Sequence, residues 1–164
     1  MAELTNLESK VGEVMGLAMA SQVATEKIRK LAEDDGETEF ASKLERIHAE
    51  AVETEKRCTA LASTFDGKKT AILEEARETK SKGAEMMKIY LDPSSDALDG
   101  AEFLTMVEAG EVGHWSVLRA MAEGNAQVQE LVSWALPVQE RHFQEASGTS
   151  KRLAAAEDPN EESA

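Results

Sequence analysis

Cysteine, proline and aromatic rings are all scarce in this sequence. A single cysteine, Cys58, leaves no partner for an intramolecular disulfide, which points to a reducing compartment. Proline occurs three times and aromatic residues make up 4% of the chain, while Ala, Glu, Lys, Leu and Met abound; this is a helix-forming composition. No apolar run approaches the roughly 20 residues of a membrane span, so no spanning segment is expected. The opening "MAELTNLESK" has neither the basic nor the apolar segment of a signal peptide, and the expected location is cytoplasmic. Positive charge is also short. Eighteen Lys and Arg face 32 Asp and Glu, a formal charge of −14, and such a surface repels phosphate groups. Nucleic acid is therefore not an expected partner, and without a basic helix a DNA-binding coiled-coil regulator is disfavoured. The acidity serves solubility or, on a second reading, gathers cations.

What is present is ordinary for a globular protein, with 41% hydrophobic and 30% charged residues in 164 positions. That length suits one domain, residues 1–156, followed by a disordered acidic tail "EDPNEESA" at 157–164. Five helical segments are legible. The first covers about Leu4 to Glu33, opened by a capping box of Thr5 and Glu8 and ended by "DDG". The second covers about Glu39 to Phe65, with Phe40, Leu44, Ile47, Ala51, Cys58 and Leu61 at helical spacing. A third, about Lys69 to Tyr90, is weakly amphipathic and reads as a crossover lying against the others. "LDPSSD" breaks the chain before a fourth helix, about Ala97 to Glu123, which stops at Gly124-Asn125. The fifth runs from about Ala126 to Ala156 with Pro137 inside it, where a kink is expected. Two helical hairpins joined by a long connection predict an all-α, ferritin-like four-helix bundle whose crossover carries the extra short helix.

Polar residues interrupt the apolar stripes. The fourth helix reads Ala101, Leu104, Glu108, Glu111, Trp115, Leu118, Ala122, with two carboxylates in mid-stripe. The fifth places His142 in line with Leu131, Ala135 and Ala146. The second places His48 after Leu44, and the first carries Gln22 one turn after Ala18. In an antiparallel hairpin, residues equally far from the turn share a height. Gln22 and His48 each lie 13 residues from Asp35, Glu111 pairs with Gln139, and Glu108 with His142. Two bare carboxylates in a dry seam cost several kcal/mol each, so a cation, paired protons or water should compensate them. Carboxylates and imidazoles at i and i+3 on facing helices can supply a di-iron carboxylate site, and "ERIH" offers Glu45 and His48 in that spacing. "QERH" offers Gln139 and His142, with an amide where an acid would stand. The other explanation is a buried polar layer in which His48 and His142 hydrogen-bond the glutamates. His114, beside Trp115, reads as a packing or surface residue, and Cys58 as buried and inert.

The stretches "KIRKLA", "KLERIHAEAVET", "FDGKK", "AILEEARETKSKGAEMM" and "DALDGAEFLTMVEAGEVGHWSVL", in that order, resemble the bacterial YciE/YciF-type ferritin-like family of stress-associated proteins over roughly residues 15 to 155. The resemblance implies a four-helix bundle with an added crossover helix, often paired as a dimer, and a dinuclear metal site. Carried over, it implies His48, Glu108 and Glu111 as ligands, and it puts Gln139 and Glu140 where the family has adjacent acids; Glu45 and His142, read from the helical spacing, would complete the ligand set, with Gln22 beside them. Iron or manganese would be the metal. The chain departs from the pattern at Gln22 and Ala51, where the family has acids.

Two functions follow. One is a cytoplasmic metal-binding protein whose chemistry, if iron is held, involves dioxygen or peroxide. The other is a metal-free bundle acting as a dimeric structural or interaction protein without catalysis. A homodimer is expected because Met86, Met87, Ile89, Tyr90 and Leu91 cluster near the end of the third helix. No small-molecule substrate is identifiable from the sequence.

Overall fold

A computed structural model describes residues 2–162. Among the described residues the secondary structure is entirely helical: α1 (Asn6–Asp34), α2 (Thr38–Ala62), α3 (Lys69–Tyr90), α4 (Ala97–Met121) and α5 (Ala126–Ala156). The helix starts follow the capping chemistry. The Thr5 backbone N–H donates to Glu8 Oε2 at 2.8 Å and the Glu8 N–H donates to Thr5 Oγ1 at 3.2 Å. Asp96 and Asp99 form a second reciprocal box at the start of α4, each N–H donating to the other's carboxylate at 3.0 Å. The turn after α1 needs Gly36 at φ 75°, and the turn between α4 and α5 needs Gly124 at φ 79°, a region that favours glycine. α5 continues as helix through Pro137.

α1 and α2 form one antiparallel hairpin and α4 and α5 the other, and these two pairs make the largest interfaces. α3 travels the length of the molecule between them, alongside and parallel to α1, so α4 starts beside the α1–α2 turn. There the Ala97 N–H donates to Asp35 Oδ2 at 2.7 Å. α4 packs on α1 and α5 on α2, each antiparallel, giving an up-down-down-up order. The core forms two apolar clusters. One surrounds Met15, Ile72, Trp115 and Leu118; the other surrounds Ile28, Phe40, Leu44 and Leu104.

α3 buries only Ala71, Ile72 and Ala76 and barely touches α4. Its contact with α1 is close because α1 presents Gly12 and Gly16. A Cβ at Gly16 would lie 2.4 Å from the Ala76 carbonyl oxygen, and one at Gly12 2.9 Å from that of Ile72.

One expectation changes. The apolar end of α3 is only partly bare: Leu91 is buried, Met87 packs against the core, and Tyr90 stacks on Phe103 with centroids 5.8 Å apart. Met86 and Ile89 remain exposed. In the expected tail, residues 157–162 form an exposed turn in which the Glu161 N–H donates to the Asp158 carbonyl at 3.1 Å. Ser163 and Ala164 lie outside the described residues. No described helix is long and apolar enough to cross a membrane.

Candidate functional site

The stripe of α4 faces inward along its length. Ala101, Leu104, Glu108, Glu111, Trp115, Leu118 and Ala122 are all at most 1% exposed. The i, i+3 spacing of Glu108 and Glu111 puts both carboxylates on one side of the helix, facing α5. α5 answers with Gln139 and His142, again three apart and both buried.

One end of the Gln139 carboxamide lies 2.9 Å from Glu111 Oε2 and 3.1 Å from Glu108 Oε2. With oxygen at that end, three acceptors converge without a donor. With nitrogen there, the amide donates to both carboxylates. His142 Nδ1 stands 3.6 Å from Glu108 Oε2, beyond a good hydrogen bond. Its other nitrogen, Nε2, is bonded to Glu50 Oε2 at 2.7 Å. Glu50, on α2, is partly exposed and also pairs with Arg141. The second oxygens, Oε1 of Glu108 and of Glu111, are buried without any partner.

Burial dominates the electrostatics. It raises the Glu108 carboxyl above its usual range, although the neighbouring His142 imidazole pulls the other way. It raises Glu111 further, with the Glu108 charge adding to the effect. For His142 burial favours the neutral ring, but contact with Glu108 and Glu50 outweighs it and the pKa rises. Burial, then the charges of Glu111 and Glu55, also raises the Cys58 thiol, which is fully buried and holds its proton.

The α1–α2 half differs from the sequence expectation. His48 is half-buried on the outer seam between α1 and α2; its Nδ1 meets the Gln22 carbonyl at 3.0 Å and Thr25 Oγ1 at 3.1 Å. It shares the height of Gln22, as the turn arithmetic requires, but Ile47 takes the inward position after Leu44. Glu45 is exposed and pairs with Arg29 at 3.5 Å. Gln22 turns to Glu55, with Nε2 donating at 2.5 Å. Glu140 is exposed on the outer face of α5. Neither Glu45 nor His48 therefore joins the glutamates of α4. Buried residues of α1 and α2 near that level include Ala18, Ser21, Ala51, Thr54 and Cys58.

Glu50 escaped the sequence reading. It lies off the apolar stripe of α2, and its contact depends on the register between the two hairpins, which turn counting within one hairpin does not supply.

A dinuclear carboxylate centre does not fit this donor set. Two metals would bring about four positive charges to two buried carboxylates and the partly exposed Glu50, with no buried carboxylate of α1 or α2 at that height. Among the described residues, no group of three or more His, Cys, Asp and Glu side chains forms a metal-holding cluster by itself. A cation at Glu108 and Glu111 would therefore lean on the Gln139 amide oxygen as a further donor. No protein-family model, curated protein or solved structure matches the chain.

Proposed function

We propose that the chain is a ferritin-like bundle, of the kind its sequence resemblance suggests, that holds one divalent cation in its α4–α5 hairpin instead of a dinuclear centre. The ligands are Glu108, Glu111, His142 through Nδ1 and the Gln139 amide oxygen. The observation that carries this reading is that Oε1 of Glu108 and Oε1 of Glu111 are both buried in the core without a partner. One end of the Gln139 carboxamide meets both carboxylates at 2.9 and 3.1 Å. Two carboxylates balance one divalent charge. Glu50 on His142 Nε2 is the outer carboxylate that metal-bound imidazoles commonly carry, fixing the ring so that Nδ1 faces Glu108. Oxygen and imidazole donors suit iron(II) or manganese(II), and such an ion would supply Lewis acidity or redox capacity.

A second reading is favoured by the same amide. Turned by half a rotation, Gln139 donates to both carboxylates and the cluster becomes a neutral polar layer, with the bundle serving as a structural or interaction module.

Metal analysis after purification without chelator, with melts in added Fe(II), anaerobically, or Mn(II), separates the two. Saturation at a hundredfold excess over Kd stabilises by about 2.7 kcal/mol, which raises Tm by roughly 5–10 °C for a domain this size. Glu108→Gln with Glu111→Gln should keep the fold and abolish both metal and shift, while Gln139→Glu should tighten binding. Less than stoichiometric metal that cannot be restored, with a melt indifferent to both ions, overturns the cation reading in favour of the polar layer.

A further inference from the structure

α3 lies tightly on α1 but hardly on α4, and that asymmetry leaves a slot between α3 and α4 with α1 as its floor. The cavity has a volume of about 200 Å³. Its walls are almost wholly apolar: Leu17 and Ala24 from α1, Met86 from α3, and Phe103, Val107 and Gly110 from α4. It uses a different face of α4 from Glu108 and Glu111. Enclosed apolar cavities of about 150 Å³ take up small hydrocarbons, and the walls of this slot are apolar on a similar scale.

One end is unlike the rest. His114 lines it, and its Nδ1 lies 3.4 Å from Lys10 Nζ and 3.2 Å from Glu13 Oε2, with Lys10 and Glu13 paired to each other. The Lys10 side chain is 15% exposed. Lys10 does not itself line the slot, but its ammonium stands beside the His114 imidazole that does, one of few cations in a chain of charge −14. The floor from Leu17 to Ala24 extends about 10 Å at 1.5 Å per residue, room for a medium-length aliphatic chain.

We propose that this slot binds a single-chain aliphatic carboxylate, the chain lying between Leu17, Phe103 and Val107 and the carboxylate meeting Lys10 and His114. The incoming carboxylate replaces Glu13 as partner of the Lys10 ammonium, so the head contributes direction and selectivity while the chain contributes affinity. The slot is independent of the cation reading, because no residue is shared.

Calorimetric titration of the full-length protein with octanoate, below its micelle concentration, tests the proposal. Affinity should rise about fourfold for each methylene from butanoate upward until the chain fills the slot. Octanol should bind more weakly than octanoate, and Lys10→Met should bring the two together. Gly110 has nothing within 4 Å of the position of an added Cβ, so Gly110→Leu should fold, as circular dichroism would verify, and block the mouth. Absence of octanoate binding, affinity independent of chain length, or undiminished binding in Gly110→Leu would overturn the slot. Equal binding of octanol and octanoate in the unaltered protein would overturn the carboxylate assignment.

Discussion

At Glu108, Glu111 and His142 the same burial that makes the site unusual also sets a pH dependence. All three groups hold their protons more firmly in the folded protein than at their ordinary values of 4.5, 4.5 and 6.5. The native state therefore binds more protons than the unfolded chain above those values, and stability falls as pH climbs. The contribution is complete below 4.5 for the glutamates and below 6.5 for the histidine, and it is lost as pH passes the raised folded values. In chelator, the Tm of the unaltered protein relative to Glu108→Gln with Glu111→Gln should decline between pH 5 and 8; a constant difference would refute the shifts. Added metal reverses the sign, because ligands must be deprotonated to bind, and its stabilisation grows with pH. Glu108, Glu111, Gln139 and His142 were visible in the sequence because each hairpin fixes its own heights through its turn. His48 misled because positions three and four after Leu44 both satisfy helical spacing, and the apolar Ile47 wins the dry side.

At the level of elements, the five helices were legible to within three residues, since several boundaries are written in a side-chain cap or a glycine turn. The mode of packing of α3 was not. It depends on Gly12 and Gly16 of α1, whose absent side chains let the α3 backbone approach. Gly16→Ala places a Cβ 2.4 Å from a backbone carbonyl that cannot rotate away. Overpacking of this kind costs about 1–3 kcal/mol and outweighs a helix-propensity gain of about 1 kcal/mol. Gly113→Ala meets nothing within 4 Å and keeps that gain. Thermal melts should move in opposite directions, Gly16→Ala downward and Gly113→Ala upward by roughly 2–4 °C. A neutral or stabilising Gly16→Ala would show that α3 does not sit so close.

For the whole molecule, the exposed Met86 and Ile89, with the half-exposed Tyr90, are what remains of the apolar face expected to meet a second copy. Light scattering at tens of micromolar is expected to give twice the 17.8 kDa of one chain; a single-chain mass would refute the dimer. The up-down-down-up course was legible in outline from two short turns and one long connection. The pairing of α2 with α5, and with it Glu50 on His142, was not, because no turn joins those helices.

That division of the polar cluster has a kinetic consequence. Glu108 and His142 are 34 positions apart and linked by one tight turn, whereas Glu50 and His142 are separated by 92. Closing the longer loop carries the greater entropic cost, so the α4–α5 contacts should form first and the α2 contact last. In stopped-flow chevrons, Leu131→Ala, within the hairpin, should slow refolding, while Glu50→Gln should mainly hasten unfolding. The reverse pattern would mean that the two hairpins dock before either is consolidated. On the expected order, the buried carboxylates acquire their amide and imidazole neighbours in the nascent hairpin, and Glu50 closes over them only as the chain reaches its native state.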